Sequence, residues 1–536
     1  MEMMKKPPIR LYLLAGILFL CMTGVLIQLC TAAQGDAVAA VGVRQGKYHL
    51  HVPLSDGIIY DCNFQPLNAG APSVKAVVNP TPDTLASIFT KLRNRKEVQS
   101  HLQSVSPFIC DLTEEAEGNQ NLIILHGREM CRGSRFAQHL LGYQQNGEPM
   151  SGIERAYAGW LKSCAASADV TFTVSARGEV LAGAETTVLQ HGQAGGGVVT
   201  TLHTDIQKIA EDALKTVRPN AGAAIVLDCK TGNIAACAST PVYDPDNLSA
   251  AMQRSDSPFI NRALSAYSVG SVFKLVTASA ALESGFSAKY MYECTGEVRV
   301  YGQRFRCHKQ DGHGLLDMQH AMMCSCNPYF ISLSRLLSPQ AMHDTAESLG
   351  FGQKIVLAEG LESAAGYLQS EAELQIEAEK ANMSFGQGKL LATPLQIAAM
   401  TACIVNDGIY SEPHLILGCT TDGKSLNRQE QPVQRRALRS DTAAKVRRMM
   451  VSVLERTASA NGKPQNTRAG GKTSTAQTGQ FRKDGTELCH AWMTGFFPVN
   501  QPRYTVTVFV ENGGSGNQTA APVFRQIIEK ITDAGL

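Results

Sequence analysis

The chain has 536 residues, of which 44% are hydrophobic and 18% charged, and its formal net charge is +2. A near-neutral balance gives no long-range attraction for phosphate, so the composition argues against a nucleic-acid-binding protein. The hydrophobic content argues equally against a disordered one. A chain of this length has room for about two to four domains with a sizeable core.

The N-terminal 30 residues have the pattern of a membrane anchor. Lys5, Lys6 and Arg10 precede an uncharged apolar segment at 11–30, about the length that a helix needs to cross a bilayer. The basic residues predict a cytoplasmic tail at 1–10, a single-pass span at 11–30 and an extracytoplasmic remainder. The alternative is a cleaved signal peptide, with Thr31–Ala33 as the cleavage site. The apolar run is longer than a usual signal core and favours a retained anchor.

Fifteen cysteines are spread along the chain without the paired CxxC spacing of zinc sites. Most are therefore expected to be buried as small hydrophobic side chains. Cys294 and Cys307 are candidates for one disulfide, which the sequence leaves open. His313 lies between two glycines and is interpreted as a loop or hydrogen-bonding residue. No metal site and no organic cofactor are predicted.

The first part of the chain, residues 35–190, mixes charges, short apolar runs and turn signals. This pattern predicts an irregular α+β domain. Residues 191–200 form a glycine-rich hinge, and Thr204 with Gln207 has the spacing of a capping box that opens a helix.

The second part, residues 200–536, contains strands at both ends and a largely helical middle. A hairpin is predicted around Lys230–Asn233, a helix beginning at Pro394, a strand at 504–510 and a helix at 524–531. Pairing of the distant strands in one antiparallel sheet would give an α+β domain.

A serine and a lysine three residues apart are the first candidates for chemistry. Ser271 and Lys274 lie in the stretch YSVGSVFKLV (267–276), where positions i and i+3 of a helix share one face. Apolar neighbours would desolvate the lysine, lower its pKa and make a neutral amine accessible as a base. The non-catalytic alternative is a lysine whose ammonium group reaches solvent at the end of its apolar side chain.

Two further motifs follow in the order expected of one known signature. Ser325-Cys326-Asn327 and Lys472-Thr473-Ser474-Thr475, after Ser271 and Lys274, resemble S-x-x-K, S-x-N and K-T-G of penicillin-binding proteins and serine β-lactamases. The resemblance implies roles for seven residues. The catalytic residues would be Ser271 as nucleophile, Lys274 as base and Ser325 as proton relay, and substrate would be bound by Asn327, Lys472, Thr473 and Thr475.

The resemblance extends beyond the motifs to class B penicillin-binding proteins, the monofunctional D,D-transpeptidases of peptidoglycan. The similar segments are 56–67, 132–161, 226–247, 383–408 and 491–498. The resemblance implies a non-penicillin-binding domain at 35–190 and a transpeptidase domain at 200–536. The transpeptidase domain would contain an antiparallel sheet and a helical subdomain. Ser474 departs from the family, which has glycine there, and could narrow the cleft or shift β-lactam sensitivity.

The implied activity is cross-linking of peptidoglycan stem peptides in cell-wall synthesis, in cell shape or division, through an acyl-enzyme on Ser271. β-Lactams would be inhibitors, and a membrane glycosyltransferase would be a partner. Two alternatives stay open from the sequence. Water could replace the amine acceptor, giving a carboxypeptidase or β-lactamase with the same site, or the chain could be a catalytically weak cell-wall scaffold.

Overall fold

The computed structural model describes residues 9–34, 46–99, 101, 104–130, 136–145, 147–192, 195–217, 221–430, 432, 434–457 and 460–536. The described N-terminal segment is one helix, Ile9–Gln34. Its stretch Tyr12–Thr31 is long and apolar enough to cross a membrane, which agrees with the span predicted at 11–30. Most of the predicted cytoplasmic tail, residues 1–8, and residues 35–45 lie outside the described residues.

The chain divides into two compact units. The described residues of 9–56, 71–129 and 165–192 belong to the first, and those of 57–70, 130–164 and 195–536 belong to the second.

The first unit contains two three-stranded sheets. One is antiparallel, with strands in the order Lys47–Ser55, Ala166–Thr173 and Thr187–His191. The other has the order Phe108–Leu112, Ala69–Val78 and Leu122–Met130. Alternate residues of Ala166–Thr173 are buried, as expected of a strand with one face on a core. The short helices of this unit are Pro82–Ile88, Phe89–Lys91 (3₁₀) and Arg95–Gln99.

A five-stranded antiparallel sheet forms the centre of the second unit. Its strand order is Ile234–Thr240, Gly222–Asp228, Tyr504–Val510, Glu487–Phe497 and Gly470–Phe481. The predicted hairpin and the predicted pairing of strands from the two ends of the region are therefore confirmed. Gly470–Phe481 lies at the edge of this sheet.

Helices cover both faces of the central sheet. Thr204–Leu214 and Ala521–Asp533 share a buried apolar cluster with its strands. Pro394–Val405 is buried at every position and packs through Ile397 and Met400 into a second cluster with Phe509. Because every position of this helix is buried, protein surrounds it on all sides, and the helix joins the sheet to the helical layer.

The helical layer carries the segments with the first two motifs. Its elements are Gly270–Phe273 (3₁₀), Lys274–Glu283, Met318–Met323, Asn327–Arg335, Pro339–Ser348, Glu371–Leu374, Glu377–Ser384 and Ser440–Arg456. The sheet and helical layer together confirm the predicted α+β class.

Smaller elements complete the second unit. A mixed sheet has the order Ile58–Tyr60, Gly197–Thr200, Ile416–Thr420 and Asn427–Arg428. The two-stranded pairs are Gln144–Gln145 with Glu148–Pro149, Tyr267–Ser268 with Leu391–Ala392, Tyr292–Cys294 with Gly314–Leu316, Glu297–Val300 with Gln303–Arg306, Val356–Ala358 with Leu361–Glu362, and Ile409–Ser411 with Gln434–Arg436. The remaining helices are Gln138–Leu141, Gly152–Ala156, Ala158–Ser163, Leu248–Met252 and the π-helix Gly516–Ala520.

Two predicted helix-start signals differ in outcome: one prediction is confirmed and the other is wrong. At Pro394 the helix begins as predicted, and Thr393 and Gln396 form a complete capping box. The capping box predicted at Thr204 is wrong, because His203 is the N-cap residue and makes no side-chain cap. The Thr204 hydroxyl instead donates to the Asp61 carboxylate at 2.6 Å, a partner distant in sequence that the motif cannot reveal.

Candidate active site

Ser271 lies at the start of a tight helical entry. The 3₁₀ helix Gly270–Phe273 leads directly into Lys274–Glu283, and residues three apart are in line in a 3₁₀ turn. Gly270 has φ +65°, and a Cβ atom there would lie 2.3 Å from the Ser474 hydroxyl. The entry therefore requires glycine before Ser271, both for its backbone conformation and for the close approach of the edge strand.

Lys274 is completely buried and joins the first motif to the second. Its Nζ atom donates to the Ser325 carbonyl at 2.7 Å and to Asn327 Oδ1 at 2.6 Å, and lies 3.1 Å from Ser325 Oγ. The interpretation of a solvent-seeking lysine is excluded by this burial. Among the described residues, the Ser271 hydroxyl makes no hydrogen bond, so Lys274 is not bonded to Ser271 in this state.

Ser325 occupies a turn between two helices. It follows Met318–Met323 and precedes Asn327–Arg335, and its φ of +52° is in the left-handed region. For a residue with a side chain this conformation costs about 1–2 kcal/mol. Hydrogen bonds support the turn, since the Cys326 N–H donates to the Ala321 carbonyl at 3.0 Å. The turn directs Ser325 and Asn327 toward Lys274.

The third motif lies on the edge strand Gly470–Phe481. Lys472 is 2% exposed, and its Nζ atom donates to Ser325 Oγ at 3.2 Å and to the Thr473 carbonyl at 2.9 Å. The Thr475 hydroxyl accepts from the Gly516 N–H at 3.2 Å. The Ser325 hydroxyl is therefore in contact with a lysine from each of the two other motifs.

A cleft of about 370 Å³ opens above these residues. Five of the seven predicted residues line it, and the two lysines lie buried at its base. The predicted lining residues are Ser271, Ser325, Asn327, Thr473 and Thr475. Ser474 of the third motif also lines the cleft. The sequence alone assigns no individual role to the other side chains of the wall, of which the second and third lie in the family-like segment 383–408: His308, Phe385, Gln387, Gln477, Ser515 and Asn517.

Burial changes the proton affinity of both lysines. The pKa of Lys274 is far below its ordinary value because burial disfavours the charged form, and the nearby Lys472 adds to this effect. Burial also lowers the pKa of Lys472 to about 8. Two adjacent buried ammonium groups repel each other, so the pair favours a neutral Lys274 beside a charged Lys472.

Comparison with known proteins places the chain in a family. The family model of the penicillin-binding protein transpeptidase domain matches residues 222–529, more than half of the chain. The chain belongs to the penicillin-binding protein transpeptidase family. The resemblance drawn from the three motifs is thus confirmed.

Curated relatives and solved structures agree with this assignment. The chain is 30% identical to peptidoglycan D,D-transpeptidase PbpA of Mycobacterium tuberculosis, over 62% of this chain and 72% of that protein. It is 26% identical to stage V sporulation protein D of Bacillus subtilis, over 96% and 84%. The D,D-transpeptidase domain of a peptidoglycan glycosyltransferase from Eggerthella lenta has the same fold, with TM-score 0.66, 22% identity and coverage of 90% and 98%.

Ser474 stands where the family motif has glycine. It is part of the framework behind Ser271. Its side chain is 3% exposed, and its hydroxyl donates to the Val269 carbonyl at 3.0 Å. Two neighbouring bonds act in the same way: Ser268 Oγ donates to the Gln477 carbonyl at 3.0 Å, and Trp492 Nε1 donates to the Ser268 carbonyl at 3.0 Å. These bonds fix the segment that leads into Ser271 and helix Lys274–Glu283 against the central sheet.

We predict that Ser474→Ala and Ser474→Gly both destabilise the protein and slow its acylation by a labelled penicillin. Each variant leaves the Val269 carbonyl without this donor, at a cost of about 1–3 kcal/mol. Thermal unfolding and acylation rates of the full chain in detergent measure the two effects. Gln480→Ala, an exposed position on the same strand, is the matched control. Faster acylation of Ser474→Gly would show instead that the hydroxymethyl group obstructs the cleft.

Proposed function

We propose that the chain is a peptidoglycan D,D-transpeptidase that cross-links stem peptides through an acyl-enzyme on Ser271. The observation that carries the proposal is the convergence of three motifs on the Ser325 hydroxyl, at the base of a cleft that also exposes Ser271. The family assignment and the activity for which the M. tuberculosis relative PbpA is named support the same function.

In the acylation step, Ser271 Oγ attacks the carbonyl carbon of the bond between the two terminal D-alanines. Neutral Lys274 takes the hydroxyl proton, so the new ester bond forms without a free alkoxide. Backbone N–H groups of Ser271 and Thr475 stabilise the oxyanion. When the C–N bond breaks, Ser325 delivers a proton to the departing D-alanine amine and is reprotonated by Lys274.

The remaining predicted residues hold the substrate. Lys472, buried in contact with the Ser325 hydroxyl, supplies a positive charge that attracts the terminal carboxylate, and Thr473 beside it on the edge strand lines the cleft. Asn327 holds a peptide amide of the substrate through its side chain. In the second step, an amine of a neighbouring stem peptide attacks the ester and regenerates Ser271.

β-Lactams are proposed as inhibitors, because they present an acylating carbonyl to the same serine. Penicillin-binding protein A of M. tuberculosis has been solved as acyl-enzyme complexes with ceftriaxone and imipenem. We further propose that helix Ile9–Gln34 anchors residues 200–536, the transpeptidase domain, and residues 35–190, the non-penicillin-binding domain, outside the cytoplasm. A membrane glycosyltransferase would supply the glycan strands. The Helicobacter pylori PBP2 structure, in complex with MreC, is a precedent for a protein partner.

The first test is acylation of the full-length protein in detergent by a fluorescent penicillin. One covalent adduct is expected, located on Ser271 by peptide mapping and absent from Ser271→Ala. Thermal unfolding of the variant shows whether it is folded. Failure of the folded wild-type protein to form any adduct would favour the scaffold interpretation, and an adduct on another residue would refute the role of Ser271.

The acceptor is tested separately with a donor peptide that ends in D-Ala-D-Ala and an excess of an amine-bearing acceptor. We expect the amide product to exceed the hydrolysis product, measured by mass spectrometry, and neither to form with Ser271→Ala. Release of D-alanine with hydrolysis alone would identify a carboxypeptidase, while turnover of penicillin itself would identify a β-lactamase.

The pH dependence follows from the two lysines. Because the folded pKa of Lys472 is about 8, the charge that binds carboxylate is lost as the pH rises through 8, and acylation should decline there. Lys274 must be neutral to act as base, so acylation should also decline at low pH, where Lys274 becomes protonated. Cys324 is a further ionisable group near Lys472, and burial raises the pKa of its thiol.

Second-order rate constants of acylation, measured across the pH range, give both the acidic and the alkaline limb of the pH profile. Lys472→Arg keeps the charge and should move the alkaline decline to higher pH, whereas Cys324→Ser should leave the profile unchanged. An alkaline limb that stays in place in a folded, active Lys472→Arg variant would assign that limb to another group.

A further inference from the structure

Four side chains form a cluster directly behind the turn that carries Ser325. The Sγ atoms of Cys294, Cys307 and Cys326 and a ring nitrogen of His313 all lie within 4.8 Å of one another. The three cysteines are 1%, 4% and 0% exposed, and His313 is partly buried. All three are free thiols, so the disulfide considered for Cys294 and Cys307 is not formed.

Two small strand pairs, one nested within the other along the chain, bring three of these residues together. Cys294 ends the strand Tyr292–Cys294 and pairs with Gly314, immediately after His313. Cys307 follows the strand Gln303–Arg306, and its N–H donates to the Gly296 carbonyl at 2.7 Å. These contacts fix the ligand atoms through hydrogen-bonded backbone, as a preorganised binding site requires.

Glycine allows the two strand pairs to pack this closely. Gly296 and Gly312 have φ values of +97° and +77°. A Cβ atom on Gly312 would lie 2.1 Å from the Cys294 carbonyl oxygen, and one on Gly296 would lie 1.8 Å from the Gln310 carbonyl oxygen. The close packing of the two loops around the cluster therefore depends on residues without side chains.

We propose that Cys294, Cys307, His313 and Cys326 bind one zinc ion. Three sulfur ligands and one imidazole make a complete tetrahedral Cys₃His set, the closed coordination of structural zinc sites. With Zn–S near 2.3 Å and Zn–N near 2.0 Å, the ligand atoms of such a site lie about 3.5–3.8 Å apart. The Cys307 Sγ to His313 Nδ1 distance is 3.4 Å, and the 4.8 Å limit leaves only a small contraction on binding.

The chemistry of the ligands selects the ion. Thiolate and imidazole are soft and borderline ligands that favour zinc over magnesium or calcium, which prefer oxygen. The cluster contains no carboxylate. With all four positions filled by protein, the ion has no open site for water, so its role is structural rather than Lewis-acid catalysis.

The ion would act on the active site through Cys326, which lies between Ser325 and Asn327. Ser325 holds an unfavourable left-handed backbone conformation that surrounding structure must maintain. A metal–sulfur bond from the next residue would hold this turn, and with it the hydroxyl and amide groups that contact Lys274. Cys326 is thus proposed as a positioning residue.

The test begins with metal content. The full-length protein, purified in detergent through an affinity tag that uses no metal, should contain about one zinc per chain by elemental mass spectrometry. Cys307→Ser and His313→Ala should each lower this ratio at least about tenfold. Cys324→Ser is the matched control, because Cys324 lies in the same turn and outside the cluster, and it should retain the metal.

A spectroscopic measurement keeps the proposal testable if ligand variants do not fold. Replacing zinc by cobalt in the wild-type protein should give thiolate-to-metal charge-transfer bands and the intense visible bands of tetrahedral Co²⁺. Chelation should slow penicillin acylation, and added zinc should restore it. Ser271→Ala should keep its zinc while losing its adduct, so failure of the proposed function and failure of the zinc site give different results.

Three results would overturn the proposal. A folded wild-type protein without stoichiometric zinc, even after incubation with the ion, would exclude the site. Undiminished zinc in folded Cys307→Ser and His313→Ala proteins would place the metal elsewhere. A disulfide among Cys294, Cys307 and Cys326, found by peptide mapping of protein purified under the same conditions, would show that the thiols are used for a covalent bond instead.

Discussion

The site depends on the contacts of one hydroxyl group, that of Ser325, with two buried lysines. Ser325 Oγ lies 3.1 Å from Lys274 Nζ and 3.2 Å from Lys472 Nζ. Two full positive charges that contact the same hydroxyl in a desolvated place are strongly unfavourable, so the pair favours loss of a proton from one lysine. Lys274 is the one with the greater displacement of its pKa. The packing of the domain therefore creates a base and a cation from the same residue type.

Holding these groups together requires contributions from distant parts of the chain. Lys274 starts a helix of the buried layer, Ser325 is in a turn between two other helices, and Lys472 is on the edge strand of the central sheet. Hydrogen bonds from Ser474, Ser268 and Trp492 then tie the sheet to the segment before Ser271. Each component is fixed by its own packing, so the geometry of the cleft is set before substrate arrives.

Much of this arrangement could be predicted from sequence, because the signals were local or belonged to a known signature. The hairpin around Lys230–Asn233, the helix at Pro394 and the α+β class follow from periodicity and turn residues, and the three motifs predicted which side chains meet. Features that depend on distant partners could not be predicted. Thr204 has the spacing of a capping residue but donates to Asp61, and the cluster of Cys294, Cys307, His313 and Cys326 matches no contiguous zinc motif. Chain folding, rather than spacing, brings those four atoms together.

The residues of the Ser325-Cys326-Asn327 turn face two different environments, which explains why Cys326 is easily overlooked. Ser325 and Asn327 line the cleft, whereas Cys326 between them is fully buried and its sulfur lies in the thiol cluster. Packing in the core, rather than contact with substrate, therefore determines which residue occupies the middle position of the S-x-N motif. The motif itself specifies only the residues on either side of this position. A left-handed serine needs support from behind, and a buried sulfur ligand at the next residue is placed to give it. If zinc binds as proposed, Cys326, which takes no part in the proposed reaction, constrains the backbone of Ser325, the proposed proton relay.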